Sequence, residues 1–106
     1  HEYISANTKA YYAASYMDAW RRKIERTGNL NYPVESRRDG IYGSLLLEVA
    51  ILPNGSIDKT IVVRSSGHPV LDNAAIRIVR MAAPFAPFPK EIRDKTDVLH
   101  ITRTWE

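Results

Sequence analysis

The chain has 106 residues, of which 44% are hydrophobic and 25% are charged, with a net charge of +3 and no cysteine. This length and composition predict one globular domain with a single core and argue against disorder. The lack of cysteine excludes disulfide frameworks, thiol catalysis and zinc fingers, and no apolar run approaches the ~20 residues that span a bilayer. We expect a soluble domain and, because His1 is an improbable natural start, a fragment of a longer protein.

The first predicted element is a helix over about residues 5–27. Its apolar residues recur at spacings of three and four and so form one stripe, made of Ala10, Ala13, Met17, Trp20 and Ile24. Ser5 or Asn7 is a candidate cap for its start, and Gly28 is placed to end it. The tyrosines beside the stripe are expected to enlarge the core or, alternatively, to form a partner surface; they are Tyr11, Tyr12 and Tyr16.

The hydrophobic period then changes to two, which predicts strands over about residues 43–52 and 56–64. One face of the first strand carries Leu45, Leu47, Val49 and Ile51. A short turn, Pro53-Asn54-Gly55, joins the two strands. The inward positions predicted for the second strand are Ile57, Ile61 and Val63. Lys59 breaks that alternation and indicates a bulge or a partly exposed edge near it.

The stretch SSGHPVLDNAA, residues 65–75, contains the residue types of a serine-hydrolase triad in Ser66, His68 and Asp72. Triads are assembled from distant parts of a chain, and the GxSxG elbow is missing. The same residues suit the start of a helix over about 68–82, with Ser66 as cap, Pro69 in the first turn and Asp72 at the positive end of the dipole. We therefore predict a structural role. The buried face of this helix is predicted to hold Leu71, Ala74, Ala75, Ile78 and Ala82.

A segment of aromatic residues and prolines follows Pro84, and its Phe85 and Phe88 are expected to cap the core. The last predicted strand, about residues 97–105, alternates Leu99, Ile101 and Arg103 with His100, Thr102 and Thr104. The order of elements predicts an α+β fold, in which a three-stranded antiparallel sheet carries two helices on one face. The last strand then lies at an open edge, with unpaired N–H and C=O groups.

Basic residues are concentrated between positions 21 and 38, where they exceed acidic residues by four. Cations are favourable near the C-terminal end of a helix, which explains most of this cluster. No RNA-binding aromatic signature or zinc spacing accompanies it, so we predict no nucleic-acid partner. Steep salt-dependent retention on heparin or DNA would indicate the nucleic-acid alternative.

Several motifs occur in a fixed order over roughly the last three quarters of the chain: Tyr32-Pro33, Gly40, Gly43, the strand to Ile51, PNGSI, SSGHPVLDNAAI, VRMAAPFAPFP and ITRTW. Together they resemble the C-terminal domain of TonB, the periplasmic energy transducer of Gram-negative bacteria. The chain departs from that pattern at Gly28-Asn29-Leu30-Asn31, where many members carry a Gln-Pro pair, and Asn31 is the nearest substitute for the glutamine.

The resemblance implies the periplasmic domain of a protein anchored in the inner membrane by a helix that binds the ExbB–ExbD motor and is not in this chain. Such a domain captures the TonB box, a short peptide of outer-membrane receptors for siderophores, haem or cobalamin, and pulls on it. The resemblance implies no catalysis, cofactor or metal. Peptidoglycan is a further candidate partner, and homodimers formed by strand exchange are expected at high concentration.

The captured peptide is expected to add a strand beside the last strand of the sheet through main-chain hydrogen bonds. The predicted partner-binding residues are Val98, Leu99, His100, Ile101, Thr102, Arg103 and Thr104, together with Asn31 and Tyr32. Those expected to face away from the helices and to select peptides are His100, Thr102 and Thr104. The alternative is a TolA-type envelope domain, which has a similar sheet but binds colicins, phage coat proteins or Tol partners. The Tyr-Pro and SSGHPVLD motifs favour TonB.

Overall fold

A computed structural model describes residues 2–5, 13–30 and 43–105 of the chain. The elements in these ranges are β1 Glu2–Ser5, α1 Ala14–Leu30, β2 Leu45–Ile51, β3 Ile57–Arg64, α2 Pro69–Ala82, α3 Lys90–Arg93 and β4 Leu99–Trp105. The predicted strands correspond to β2, β3 and β4, and the two predicted helices correspond to α1 and α2. The single turn of α3 was not predicted, and its Ile92 is fully buried.

The strands form one sheet in the order β1-β4-β2-β3. β2 is antiparallel to both of its neighbours, β4 and β3. The second and third predicted strands therefore flank the first. The α+β class and the three-stranded antiparallel arrangement are confirmed.

β1 is a strand that the sequence analysis did not predict. It pairs in parallel with β4, so that Glu2 lies opposite Leu99 and Ser5 lies opposite Thr102. β4 is therefore not an open edge along these four residues, and the prediction of an open edge is corrected there. Ser5, a candidate helix cap, belongs to β1 instead. A four-residue segment is too short for its periodicity to distinguish a strand from the start of a helix.

α1 begins and ends later than the helix predicted over about residues 5–27. Gly28, which was predicted to end the helix, lies inside it, and a Cβ there would be 3.8 Å from Ile78 of α2. Packing against α2 outweighs the roughly 1 kcal/mol that glycine costs inside a helix. The last turn of α1 contains no basic residue, so the cations at 21–26 lie along the helix and not at its end. Asn7 and Ala10 are outside the described residues.

One face of the sheet packs against both helices to form the core. β2 contributes the four residues predicted for that face, Leu45, Leu47, Val49 and Ile51. The helices contribute Tyr16, Met17, Trp20 and Ile24 from α1 and Ala75, Val79 and Ala82 from α2. Complete burial of one large aliphatic side chain contributes about 1.5–3 kcal/mol, so this shared face is the main source of stability.

The register of β3 differs from the prediction. Val62 lies opposite Leu47 and Ile57 lies opposite Ile51, and both pack against the core. Ile61 and Val63, predicted to face inward, are 41% and 55% exposed. The register shifts twice along β3, once near Lys59 as predicted, and each extra residue moves the following side chains to the other face.

The turn between β2 and β3 packs against the segment that follows α2. Gly55 has a φ of +89°, and a Cβ on it would lie 1.9 Å from the carbonyl oxygen of Phe85. The amide of Phe85 donates to the carbonyl of Gly55 at 2.8 Å, and the amide of Phe88 donates to the carbonyl of Pro53 at 2.9 Å. Both phenylalanines are in the core, as predicted. Only glycine allows this close approach at position 55.

Tyr16 joins α1 to the same segment. Its hydroxyl donates to the carbonyl of Ala86 at 2.8 Å, and its ring meets the edge of Phe88 with a centroid distance of 5.6 Å. Burial raises the pKa of Tyr16 to about 12, because the phenolate would lose its hydration. Tyr16 is therefore a core residue, whereas Tyr11 and Tyr12 lie outside the described residues.

Candidate functional site

The cluster of Ser66, His68 and Asp72 holds the start of α2. The Asp72 carboxylate accepts hydrogen bonds from the hydroxyl of Ser65, and from the amide and hydroxyl of Ser66 at 3.0 and 2.7 Å. The bond from Ser65, followed by those from Ser66, lowers the pKa of Asp72. A catalytic serine donates to a histidine, which a carboxylate then orients. Here both serines donate directly to the carboxylate, so the arrangement tethers a loop to a helix.

The cap of α2 differs from the prediction. The N-cap residue is His68 and not Ser66, and it forms no side-chain capping bond. Pro69 is the first residue of the helix and Asp72 lies in the first turn, as predicted. The hydroxyl of Ser66 is already engaged by Asp72, which explains why it does not cap the helix.

β4 presents alternate side chains to the two faces of the sheet. Leu99 and Ile101 are fully buried in the core beneath the helices. His100 lies between them on the opposite face, where its Nδ1 is 3.6 Å from Oε2 of Glu48 on β2. Thr102 pairs with Glu48 across the strands and shares that face. Leu99, His100 and Ile101 are all buried, so any side-chain selectivity over residues 99–102 has to come from Thr102.

The second half of β4 is more exposed than the first. Exposure rises from a buried Ile101 to a half-buried Arg103 and an exposed Thr104. The guanidinium of Arg103 lies 5.3 Å from the ring centroid of Trp105 and donates to Glu25 of α1 at 3.4 Å. β1 pairs with β4 only as far as Thr102. Within the described part of the chain, no strand therefore lies beside residues 103–105 on the side of β1.

The other predicted partner-binding residues lie before β4 or outside the described ranges. Val98 immediately precedes the strand, where its amide donates to the hydroxyl oxygen of Thr96 at 3.1 Å. Asn31 and Tyr32 are outside the described residues. The structure thus brings the predicted residues from 99 to 104 onto one strand, with Val98 at its start.

β1 is the part of this surface that sequence reasoning missed. Its main chain runs along the outer side of β4 over the residues predicted to take up a peptide. The available signal was the pair Tyr3-Ile4, two residue types that are enriched in strands. Two such residues alone do not predict a strand.

The described ranges contain no group of three or more metal-ligating side chains. None of the helices in them is both long and apolar enough to cross a membrane. The chemistry that β4 itself offers is main-chain hydrogen bonding, with polar side chains on one face.

These features define a class of protein: a small α+β domain whose sheet accepts an additional extended segment along one strand. The family described as Gram-negative bacterial TonB protein C-terminal matches residues 28–106. The chain belongs to this family. It is a TonB-type periplasmic domain, from a family of transducer and binding domains rather than enzymes. β1 and nearly all of α1 precede the matched residues.

A solved structure has the same fold. It is the NMR solution structure of the TonB C-terminal domain of Helicobacter pylori, which matches with a TM-score of 0.66 and 24% sequence identity. The match covers 87% of this chain and 78% of that one. No curated protein sequence matches this chain at a significant level.

Proposed function

We propose that this domain captures the TonB box of outer-membrane receptors as an added strand beside β4. It then transmits a pull that comes from the proton-motive force through ExbB and ExbD, bound by an inner-membrane anchor elsewhere in the protein. The pull drives the uptake of siderophores, haem or cobalamin through these receptors. The observation that carries the proposal is the pairing of Glu2–Ser5 with Leu99–Thr102, because an extended segment already occupies this side of β4 through its main chain.

Main-chain pairing suits a transducer that serves several receptors. Backbone N–H and C=O groups are the same in every peptide, so recognition by strand addition depends only weakly on sequence. Each hydrogen bond contributes about 0.5–1.5 kcal/mol net. A pull along the strand direction loads all of these bonds together, so the joint resists force and still dissociates when the load is removed.

The polar face of β4 is the part that selects peptides in this proposal. Thr102 and the exposed Thr104 lie on the face away from the helices, beside the His100 and Glu48 pair. A peptide side chain on that face would meet the hydroxyl groups of Thr102 and Thr104, whereas His100 is buried. Asn31 and Tyr32 remain proposed flanking contacts, because they occupy the positions at which the family pattern places its Gln-Pro and Tyr-Pro pairs.

The experiment is an NMR titration of the isotopically labelled domain with a synthetic TonB-box peptide. Amide shifts concentrated on β4 and β1 are expected, while the amides of β3, on the other side of the sheet, stay in place. The matched control is the same peptide with prolines at two adjacent central positions, which removes a main-chain donor facing β4 whichever of the two residues carries it. Equal shifts with both peptides, or no shifts at millimolar peptide, would refute strand addition at β4.

A further inference from the structure

The strand β1 occupies the position at which a captured peptide would lie. Glu2, Tyr3, Ile4 and Ser5 pair in turn with Leu99, His100, Ile101 and Thr102. An incoming strand on that side of β4 would use the same main-chain groups. β1 and a receptor peptide therefore cannot both pair with these four residues.

We infer that residues Glu2–Ser5 are a built-in competitor, so that peptide capture by this domain is a strand exchange. The inference rests on the proposed function, because it concerns access to the same side of β4. β1 precedes the residues matched by the TonB family, 28–106. The competitor therefore lies outside the part of this chain that matches the family.

The lengths of the strands show that β1 is the part of the sheet that can leave. β4 pairs with β2 over seven consecutive residues, from Leu99 to Trp105, whereas β1 pairs over four. The side chains of Leu99 and Ile101 anchor β4 in the core. Local opening free energies differ between the parts of one structure, and the shorter pairing of β1 makes it the strand that opens while β4 stays in the sheet.

β1 ends opposite Thr102, whereas β4 continues to Trp105. We expect an incoming peptide to enter at this end of β1 and to replace it one residue at a time. Each hydrogen bond that β4 loses to β1 is then replaced by one to the peptide, which keeps the free-energy barrier of the exchange low.

The competition lowers the apparent affinity for the peptide by the fraction of molecules in which β1 is open. Apparent Kd equals intrinsic Kd divided by that fraction. A β1 that is closed in about nine molecules out of ten would weaken binding roughly tenfold. Because β1 and β4 belong to one chain, this factor does not depend on protein concentration.

The first test opens β1 in the full chain with the double substitution Tyr3→Pro and Ile4→Pro. Adjacent residues of a strand direct their N–H groups to opposite sides, so the pair removes the donor that faces β4 whichever residue carries it. The variant is expected to bind the TonB-box peptide about tenfold more tightly than the wild type. The matched control, Tyr3→Thr with Ile4→Val, keeps both donors and β-favouring side chains and is expected to bind like the wild type.

The second test locks β1 in place. The chain has no cysteine, so Ser5→Cys with Thr102→Cys introduces a single pair at positions that are partners across β1 and β4. The oxidised protein is expected to bind the peptide much more weakly than the reduced form, and because both forms carry the same two substitutions, the difference reports only the crosslink. Equal affinities of the oxidised and reduced forms would overturn the inference.

The outcomes separate the inference from the proposed function. Binding of equal strength by the wild type and the double proline variant overturns the competitor role and leaves capture at β4 standing. A gain in affinity that changes with protein concentration overturns a competitor acting within one chain. If no protein binds the peptide, neither the double proline variant nor the reduced form of the cysteine variant, then the competitor role and the proposed capture at β4 are both overturned. Without peptide, faster amide exchange at residues 99–102 in the double proline variant is the expected sign that β1 protects them.

Discussion

The two outer sides of the antiparallel sheet, β3 and β4, differ in regularity. β4 pairs with β2 over seven consecutive residues without a shift. β3 pairs with β2 with two register shifts, at which Asp58 and Val63 are the extra residues. β3 also places Lys59 and Arg64 on its exposed surface. The side beyond β4 carries the added strand β1, whereas no described strand lies beyond β3.

Regular main-chain geometry is the property that allows this sheet to be extended on the β4 side. A strand is added most readily where the N–H and C=O groups keep a regular spacing. The two bulges disrupt that spacing at β3, and the exposed charges of Lys59 and Arg64 disfavour pairing there as well. Hydrophobicity does not distinguish the two sides, since β3 exposes Ile61 and Val63. Regular main-chain geometry accompanies the added strand β1 at β4, and the irregular geometry of β3 disfavours pairing on the other side.

Proline substitutions at adjacent positions of β4 should have the largest effect. Because neighbouring N–H groups point to opposite sides, one of the variants Thr102→Pro and Arg103→Pro loses a donor on the β1 side and the other loses a donor to β2. We expect the variant that loses the donor on the β1 side to fold and to bind the TonB-box peptide up to about tenfold more weakly. The variant that loses a donor to β2 should unfold at a much lower temperature than the wild type. Peptide titration and thermal unfolding measure the two effects.

The controls for the proline pair are Thr102→Ser and Arg103→Lys, which keep both N–H groups. Both should bind the peptide within a few-fold of the wild type. Peptide binding by both proline variants at wild-type strength would place capture elsewhere than on β4.

Gly55→Ala tests the turn that joins β2 to the irregular side of the sheet. The added Cβ would meet the carbonyl of Phe85 at 1.9 Å in a residue with positive φ, so we expect a loss of about 3 kcal/mol in the free energy of unfolding. Gly67→Ala is the matched control, because Gly67 has a φ of +85° and open space around it. It should lose only about 1 kcal/mol. If denaturant unfolding gives the same loss of unfolding free energy for Gly55→Ala and Gly67→Ala, the contact with Phe85 has no effect on stability.

Asp72→Asn, in the first turn of α2, should have the smallest effect. The lowered pKa of Asp72 means that its carboxylate stabilises the fold above the ordinary carboxyl pKa of about 4. This contribution is lost as the pH falls through the lowered value. Because the carboxylate is exposed, we expect a loss below about 1 kcal/mol at neutral pH and no difference from the wild type in strong acid.

The control for Asp72 is Ser65→Ala, which removes the largest cause of the lowered pKa. The pKa of Asp72, followed by NMR, should return towards its ordinary value in this variant. A difference in stability between Asp72→Asn and the wild type that persists unchanged in acid would contradict the role of the carboxylate. Peptide binding at β4 should be the same in all of these proteins.

Features set by neighbouring residues could be predicted from the sequence. The alternation of β2, the Pro53-Asn54-Gly55 turn and the start of α2 at Pro69 depend on local periods and on the preferences of single residues. The order of these elements then led to the α+β class and to the TonB resemblance. The predicted peptide-binding strand, residues 97–105, was identified in the same way, since its buried and polar positions alternate.

Tertiary structure decided the register of β3 and the addition of β1. The side of the sheet that Ile61 and Val63 face depends on two extra residues, whose positions are set by pairing with β2 and not by the local pattern. β1 joins residues near the two ends of the chain through backbone groups, which are the same for every amino acid. No side-chain pattern therefore encodes that contact. The sequence alone predicted which strand accepts a peptide, and only the folded chain showed that this strand is already paired with β1.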